Sequence, residues 1–210
     1  MDLSELSEAV INGDAEKVTV LTKKALVEKM EVEDIINNGL IAGMNVIGTR
    51  FKNNEIFIPE VMISAHAMRA GMEILKPLFT ASNIESKGTL AIATVKGDVH
   101  DIGKNLVAMM FEGAGFKVID LGIDVDSGKI ISVIKENKPD IIALSTLLTT
   151  TMIKMKEIIN ALKNEGLRDE IKVMIGGAAV TQEYADEIGA DGYAKDASLA
   201  VDKAKELLGL

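Results

Sequence analysis

Two kinds of hydrophobic periodicity divide the chain. Up to about residue 86, apolar residues recur at three- and four-residue spacing with almost no β-branched alternation. Such spacing turns one side of each helix toward a core. Leu3, Leu6 and Val10 form a first short stripe. Asn12-Gly13-Asp14 interrupts it, and Asp14 is placed to cap a second helix carrying Val18, Leu21, Ala25 and Leu26. A third helix is expected over residues 32–52, with Ile35, Ile36, Leu40, Met44, Ile47 and Phe51 on one side. Asn53-Asn54 closes it. Pro59 suits the first turn of a fourth helix, which carries Val61, Met62, Ala65, Met68, Met72 and residues 75–78. Four amphipathic helices with short connections predict a small antiparallel four-helix bundle.

From residue 87 the pattern changes. Short apolar, β-branched runs over 89–95, 116–121, 140–144 and 172–175, with a weak one at 192–194, predict strands. Between and after them lie helical stretches over 103–113, 127–137, 150–164, 181–188 and 197–208. Strands alternating with helices imply a parallel sheet covered on both faces. Five such units fit a flavodoxin-like (Rossmann-type) doubly wound five-stranded parallel sheet, which binds ligands at the carboxyl ends of its strands. The expected fold class is α + α/β, with a helical domain over 1–86, a linker near 83–87 and an α/β domain over 87–210.

Composition narrows the chemistry. The net charge is −9, with 23 Lys+Arg against 32 Asp+Glu. An acidic surface repels phosphate backbones and anionic lipid, so no nucleic acid and no membrane is expected as a partner. There is no cysteine, which excludes disulfides, thiol nucleophiles and thiolate-held zinc or iron–sulfur sites. The start, MDLSELSEAV, has neither a basic region nor an apolar core, so it does not read as a signal peptide. The apolar stretch over 141–153 is too short to span a bilayer. A cytoplasmic location is expected. With no Trp, 3% aromatics and 11 Met, packing relies on aliphatic side chains and thioethers.

The loops at strand ends are where chemistry is expected. The first reads Lys96-Gly97-Asp98-Val99-His100-Asp101-Ile102-Gly103. A phosphate cradle would hold more Gly and fewer acids. Asp98 and His100, two apart, project to one side of extended backbone. A carboxylate can then hold one imidazole nitrogen and leave the other as a base or metal ligand. Gly103 allows close approach at the helix start. The third strand ends in Ser145-Thr146-Leu147-Leu148-Thr149-Thr150, small hydroxyl residues suited to bonding a ligand or the neighbouring Asp. The fourth runs into Gly176-Gly177-Ala178, where backbone lies bare. Asp101, Asp120, Asp124 and Asp126 fall in different segments and are read as caps and turns, not as a cation site.

The ordered set Asp98-x-His100-x-x-Gly103, Ser145-x-Leu147 and Gly176-Gly177 resembles the cobalamin-binding domain family. The helical half is similar to the cap module that precedes this domain in methionine synthase and in corrinoid proteins of methyltransferase systems. The resemblance covers essentially the whole chain. It implies a cobalamin or related corrinoid bound base-off/His-on, with His100 as the lower axial cobalt ligand in place of the cofactor's dimethylbenzimidazole. It implies Asp98 holding the His100 ring and Ser145 hydrogen-bonded to Asp98. Val99, Asp101, Ile102, Gly103, Leu147, Thr149, Gly176, Gly177 and Ala178 would contact the corrinoid or its nucleotide tail. Phe57, Met62 and Met68 would belong to the cap over the upper face.

The resemblance further implies a methyl carrier that is not catalytic alone. A substrate-specific methyltransferase would load cobalt(I). A second methyltransferase would unload methyl-cobalt(III) to a pterin or thiol, and a reductive activase would rescue oxidised cobalt. The alternative function is a cobalamin-dependent sensor or regulatory module. Other folds of this class fit less well. A phosphoreceiver needs an Asp where Ser145 stands, a flavodoxin a Ser/Thr-rich first loop, and a mutase a barrel for which there is no room.

Overall fold

The computed structural model describes residues 2–79 and 86–210. The expected linker lies mostly outside the described residues. The chain forms two compact units, Met1–Ser86 with Glu112–Gly115, and Lys87–Phe111 with Phe116–Leu210.

In the first unit, α1 (Ser4–Ile11), α2 (Ala15–Val27) and α5 (Ile58–Phe79) run as regular helices. Asp14 caps α2, its Oδ1 accepting the Lys17 amide at 2.9 Å. The third helix is not uniform. It begins as a single turn, α3 (Val32–Asp34), widens into a π-helical segment (Ile35–Ile41) and resumes as α4 (Ala42–Lys52). The apolar pattern explains the widening. Buried pairs recur every four residues, at Ile35-Ile36, Gly39-Leu40, Gly43-Met44 and Ile47-Gly48. In an α-helix a strict four-residue repeat drifts by about 40° per turn, and the wider π turn takes up that drift. Gly39 and Gly43 face α1, where a Cβ would lie 2.6 Å from Leu6 Cδ2 and 2.7 Å from the Ser7 carbonyl. Leu6, Val10, Val18, Ile35, Leu40 and Leu75 are fully buried and make the core of this four-helix bundle.

The second unit alternates β1 (Thr89–Thr94), α6 (Ile102–Gly113), β2 (Lys117–Asp120), α7 (Ser127–Asn137), β3 (Ile141–Ser145), α8 (Ile153–Asn164), β4 (Lys172–Gly176), α9 (Gln182–Ile188), β5 (Gly192–Ala194) and α10 (Ala197–Leu208). The strand order is β2-β1-β3-β4-β5, and every pairing is parallel. This is a flavodoxin-like doubly wound sheet. One face, with Ala91, Ala93, Ile142, Leu144, Val173 and Ile175, packs on Ile130 and Ile134 of α7 and on Met155, Ile158 and Ile159 of α8. Asp126, Thr181 and Asp196 cap α7, α9 and α10 by accepting amides from Lys129, Tyr184 and Leu199.

The last row of paired residues before the carboxyl edge is Thr94, Ser145, Gly176 and Ala194. None has a large side chain, so this row forms a shallow floor. The helix after β3 starts at Ile153 rather than at residue 150. Residues 146–152 are used instead as a loop whose hydroxyls and amides turn toward β1. No helix among the described residues is long and apolar enough to cross a membrane.

Candidate functional site

The site is built around Asp98, which is fully buried just past β1. Its backbone is tied on two sides: its amide donates to the Val95 carbonyl at 3.1 Å, and its carbonyl accepts the Asp124 amide at 3.0 Å. Val95 and Val125 extend this tie as a parallel bridge between the first two loops. The carboxylate then reaches in two directions. Oδ1 accepts the His100 amide at 2.9 Å and lies 2.7 Å from His100 Nδ1. Oδ2 accepts the Thr146 hydroxyl at 2.7 Å and the Leu147 amide at 2.7 Å. The Leu148 amide at 3.3 Å and the Thr151 hydroxyl at 3.4 Å stand further off. Burial pushes the Asp98 pKa upward. The donors outweigh it: the His100 amide, Thr146 hydroxyl, Leu147 amide and His100 ring together hold the carboxyl well below the usual carboxylate range.

His100 contrasts with its partner. Its side chain is 48% exposed while that of Asp98 is 0% exposed. The Thr94 hydroxyl fixes its backbone by donating to the His100 carbonyl at 2.9 Å. With Nδ1 held against the carboxylate, Nε2 is the ring nitrogen left for another partner. Among the described residues Nε2 has no hydrogen-bond partner. The loops after β1 and β3 and the first residue of α6 also leave apolar side chains in the open: Val99 is 64% exposed, Ile102 71%, Leu147 44% and Leu148 39%. At Gly103 an added Cβ would meet nothing within 4 Å, so internal packing does not demand glycine there.

Of the residues expected from the sequence, Asp98, Val99, His100, Asp101, Ile102 and Gly103 occupy the loop after β1 and the start of α6. Leu147 and Thr149 lie in the loop after β3, and Gly176, Gly177 and Ala178 lie at the end of β4 and beyond. All sit at the carboxyl ends of adjacent strands. Ser145 differs from expectation. It lies in the sheet's last row, half-buried, and the hydroxyl bonded to Asp98 is that of Thr146. Side chains alternate faces along a strand, so a shift of one residue moves the hydroxyl to the side where Asp98 sits. Thr151 and the Leu147 and Leu148 amides were also missed. The cluster of hydroxyls at 145, 146 and 149–151 was their only signal.

Gly177 has φ +127, and a Cβ there would lie 1.8 Å from the Thr146 carbonyl oxygen. The glycine pair therefore serves the protein's own backbone as well as open space. The acidic residues stand as caps and turns. Asp126 caps α7, Asp124 accepts from the Gly97 amide and Lys96, and Asp120 pairs with the buried Lys104 at 2.6 Å. In the first unit, Phe57 and Met62 are 69% and 46% exposed, but Met68 is 3% exposed. Met68 shares the buried face of α5 with Val61, Ala65 and Leu75.

A family model described as "B12 binding domain" matches residues 88–202, and a second model of the same description matches residues 3–76. The chain belongs to the B12-binding family. It is 47% identical to a corrinoid protein of Desulfitobacterium hafniense (strain Y51), over 99% of this chain and 97% of that protein. It is 48% identical to a dimethylamine corrinoid protein of Methanosarcina barkeri, over 98% of this chain and 97% of the other. The crystal structure of the methanol:cobalamin methyltransferase complex from Methanosarcina barkeri superposes with a TM-score of 0.90 at 31% identity, covering 99% of this chain and 79% of that one.

The site of this B12-binding chain fits a corrinoid on its own chemistry. Among the described residues no group of three or more His, Asp or Glu is arranged to hold a metal ion. A single outward imidazole suits a metal whose other ligands come from a macrocycle. The exposed apolar collar and the empty space before Gly103 suit a large, flat, partly apolar ligand.

Proposed function

We propose that this chain is a methyl carrier, with a corrinoid seated over the second unit and His100 Nε2 as the lower axial ligand. The observation that carries the reading is the pairing of an exposed, outward-facing imidazole with a fully buried, fully bonded carboxylate. When bound, the corrinoid supplies a cobalt centre that takes up a methyl group and gives it away again. His100 offers a nitrogen lone pair to that centre. Asp98 keeps the ring in one tautomer and orientation. Val99, Ile102 and Leu147 would shield the macrocycle edge from water. The low row of Thr94, Ser145, Gly176 and Ala194 leaves room for the cofactor's nucleotide tail, with its base displaced from cobalt (base-off/His-on).

The chain would not turn over substrate alone. A substrate-specific methyltransferase would load it, a second with a pterin or thiol acceptor would unload it, and a reductive activase would return the bound cofactor to its methyl-accepting state. The relationship to a dimethylamine corrinoid protein supports a methylamine as methyl donor.

The test is reconstitution of the purified protein with hydroxocobalamin, desalting, and a visible spectrum. Wild type emerges coloured with a histidine-ligated spectrum, and His100→Ala retains less cofactor or loses that signature. Colourless wild-type protein overturns the reading, and an unchanged His100→Ala spectrum removes His100 as the ligand.

A further inference from the structure

We propose that Asp124, in the loop after β2, is a positioning residue for the site: it holds the main-chain turn that carries Asp98, and so sets where that carboxylate meets His100. Four non-glycine residues among those described have positive φ. Lys29, Asn54 and Lys138 stand at or just past the ends of α2, α4 and α7, where a left-handed residue commonly closes the last turn. Asp124, with φ +54, ends no helix and lies in a strand-end loop. A left-handed residue without a helix to close calls for another explanation, and its bonds supply one. Its amide donates to the Asp98 carbonyl at 3.0 Å. Its Oδ1 accepts the Gly97 amide at 2.8 Å, and its Oδ2 accepts the Lys96 ammonium at 3.0 Å. In this conformation the amide and the carboxylate of one residue reach the same segment, residues 96–98.

That segment is where the chain leaves the sheet. The Val95 amide still donates to the Ser145 carbonyl of β3 at 3.1 Å. Residues 95–98 then turn, the Asp98 amide donating to the Val95 carbonyl at 3.1 Å with Gly97 at φ +84. The Gly97 amide and the Asp98 carbonyl are both taken by Asp124. The Val95–Val125 bridge and the Val125 amide, bonded to the Thr94 carbonyl at 3.0 Å, brace the loop of Asp124 in turn. Of its two side-chain partners, the Gly97 amide does more than Lys96 to hold the Asp124 carboxyl below its ordinary value. The Lys96–Asp124 ion pair is exposed on both sides, and such pairs contribute little. The main-chain bond is therefore the part that positions. If the turn shifts, the Asp98 oxygens move off the His100 and Leu147 amides, which they accept at 2.9 and 2.7 Å, and hydrogen bonds weaken steeply with such displacement. The spectral arm of the test rests on the function proposed above; the arm on the cofactor-free protein does not.

The variants are Asp124→Gly, which accepts positive φ and removes both side-chain acceptors, Asp124→Asn, which keeps an oxygen for the Gly97 amide, and Lys96→Met. Asp126→Ala, which removes the cap of α7 two residues further on, is the control for general loosening. Amide hydrogen exchange of the cofactor-free protein reads the His100 and Leu147 amides, the two main-chain donors nearest the Asp98 carboxylate. In Asp124→Gly both are expected to exchange roughly tenfold faster. Asp124→Asn, Lys96→Met and Asp126→Ala are expected to leave them near wild type, although Asp126→Ala lowers the urea midpoint. With hydroxocobalamin, Asp124→Gly is expected to bind roughly tenfold more weakly, with a smaller histidine-ligated fraction, and Asp124→Asn to bind as wild type does. Unchanged exchange at both amides in Asp124→Gly overturns the proposal, as does an equal effect of Lys96→Met or of Asp126→Ala. If Asp124→Gly does not fold, Asp124→Ser, whose hydroxyl sits one bond short of the lost carboxylate oxygen, decides on the same two amides. If wild type binds no corrinoid, the methyl-carrier reading falls while the exchange comparison still judges Asp124.

Discussion

A carboxylate sealed from water persists only where donors replace the solvent. Asp98 has four within 2.9 Å, from the His100 amide and ring, the Thr146 hydroxyl and the Leu147 amide. Asp98→Asn places an amide NH2 among groups that already donate, and is expected to cost about 2–3 kcal/mol at neutral pH, read as a lowered urea midpoint. The pH dependence has a definite sign. The folded pKa of Asp98 is depressed, so its stabilisation is present above the unfolded carboxyl range and is lost as pH falls below it. The gap between wild type and Asp98→Asn should therefore narrow in urea titrations as pH drops below about 4. Gly177→Ala should also be damaging. Its φ of +127 and its clash with the Thr146 carbonyl predict a loss of at least about 2 kcal/mol, seen in the same titration. The contact between Asp98 and His100 was legible in the sequence because two-residue spacing is local. The choice of Thr146 over Ser145 was not, because it depends on which face of β3 looks toward a loop distant in the chain.

At the level of elements, the parallel strands were the most legible part, since β-branched runs between helical stretches leave few other folds. The caps at Asp14 and Asp126 were legible because each Asp precedes an apolar stripe. Asp126→Ala should cost about 1 kcal/mol, measured as a shift in urea midpoint, because it frees the Lys129 amide at the start of α7. Two boundaries were hidden. Residues 32–52 carry a helical stripe, but its four-residue phase required the π-helical segment, and a reading by stripe alone misses a change of pitch. The start of α8 was placed too early because residues 150–152 are compatible with a helix. Tertiary demand for the Thr151 hydroxyl at Thr146 wins over local propensity there.

For the whole molecule, the change of period near residue 86 made the two-part architecture readable, with a helical bundle before it and a doubly wound sheet after it. Legibility ended at the cap. Phe57, Met62 and Met68 were grouped by resemblance rather than by spacing; in the structure Phe57 and Met62 are exposed and Met68 is buried. Binding should be visible globally. A ligand that binds only the folded state adds about 2.7 kcal/mol of stability at a hundredfold excess over Kd. Hydroxocobalamin should therefore raise the calorimetric midpoint of wild type, and raise that of His100→Ala by less.

The sheet's outermost strands carry one more consequence. β2 has 4 residues and β5 has 3, and exposed lysines, Lys117 and Lys195, mark the beginning of one and follow the end of the other. So little unpaired backbone, flanked by charge, offers a poor template for recruiting another chain. Concentrated solutions should resist ribbon-like aggregation through the sheet margins.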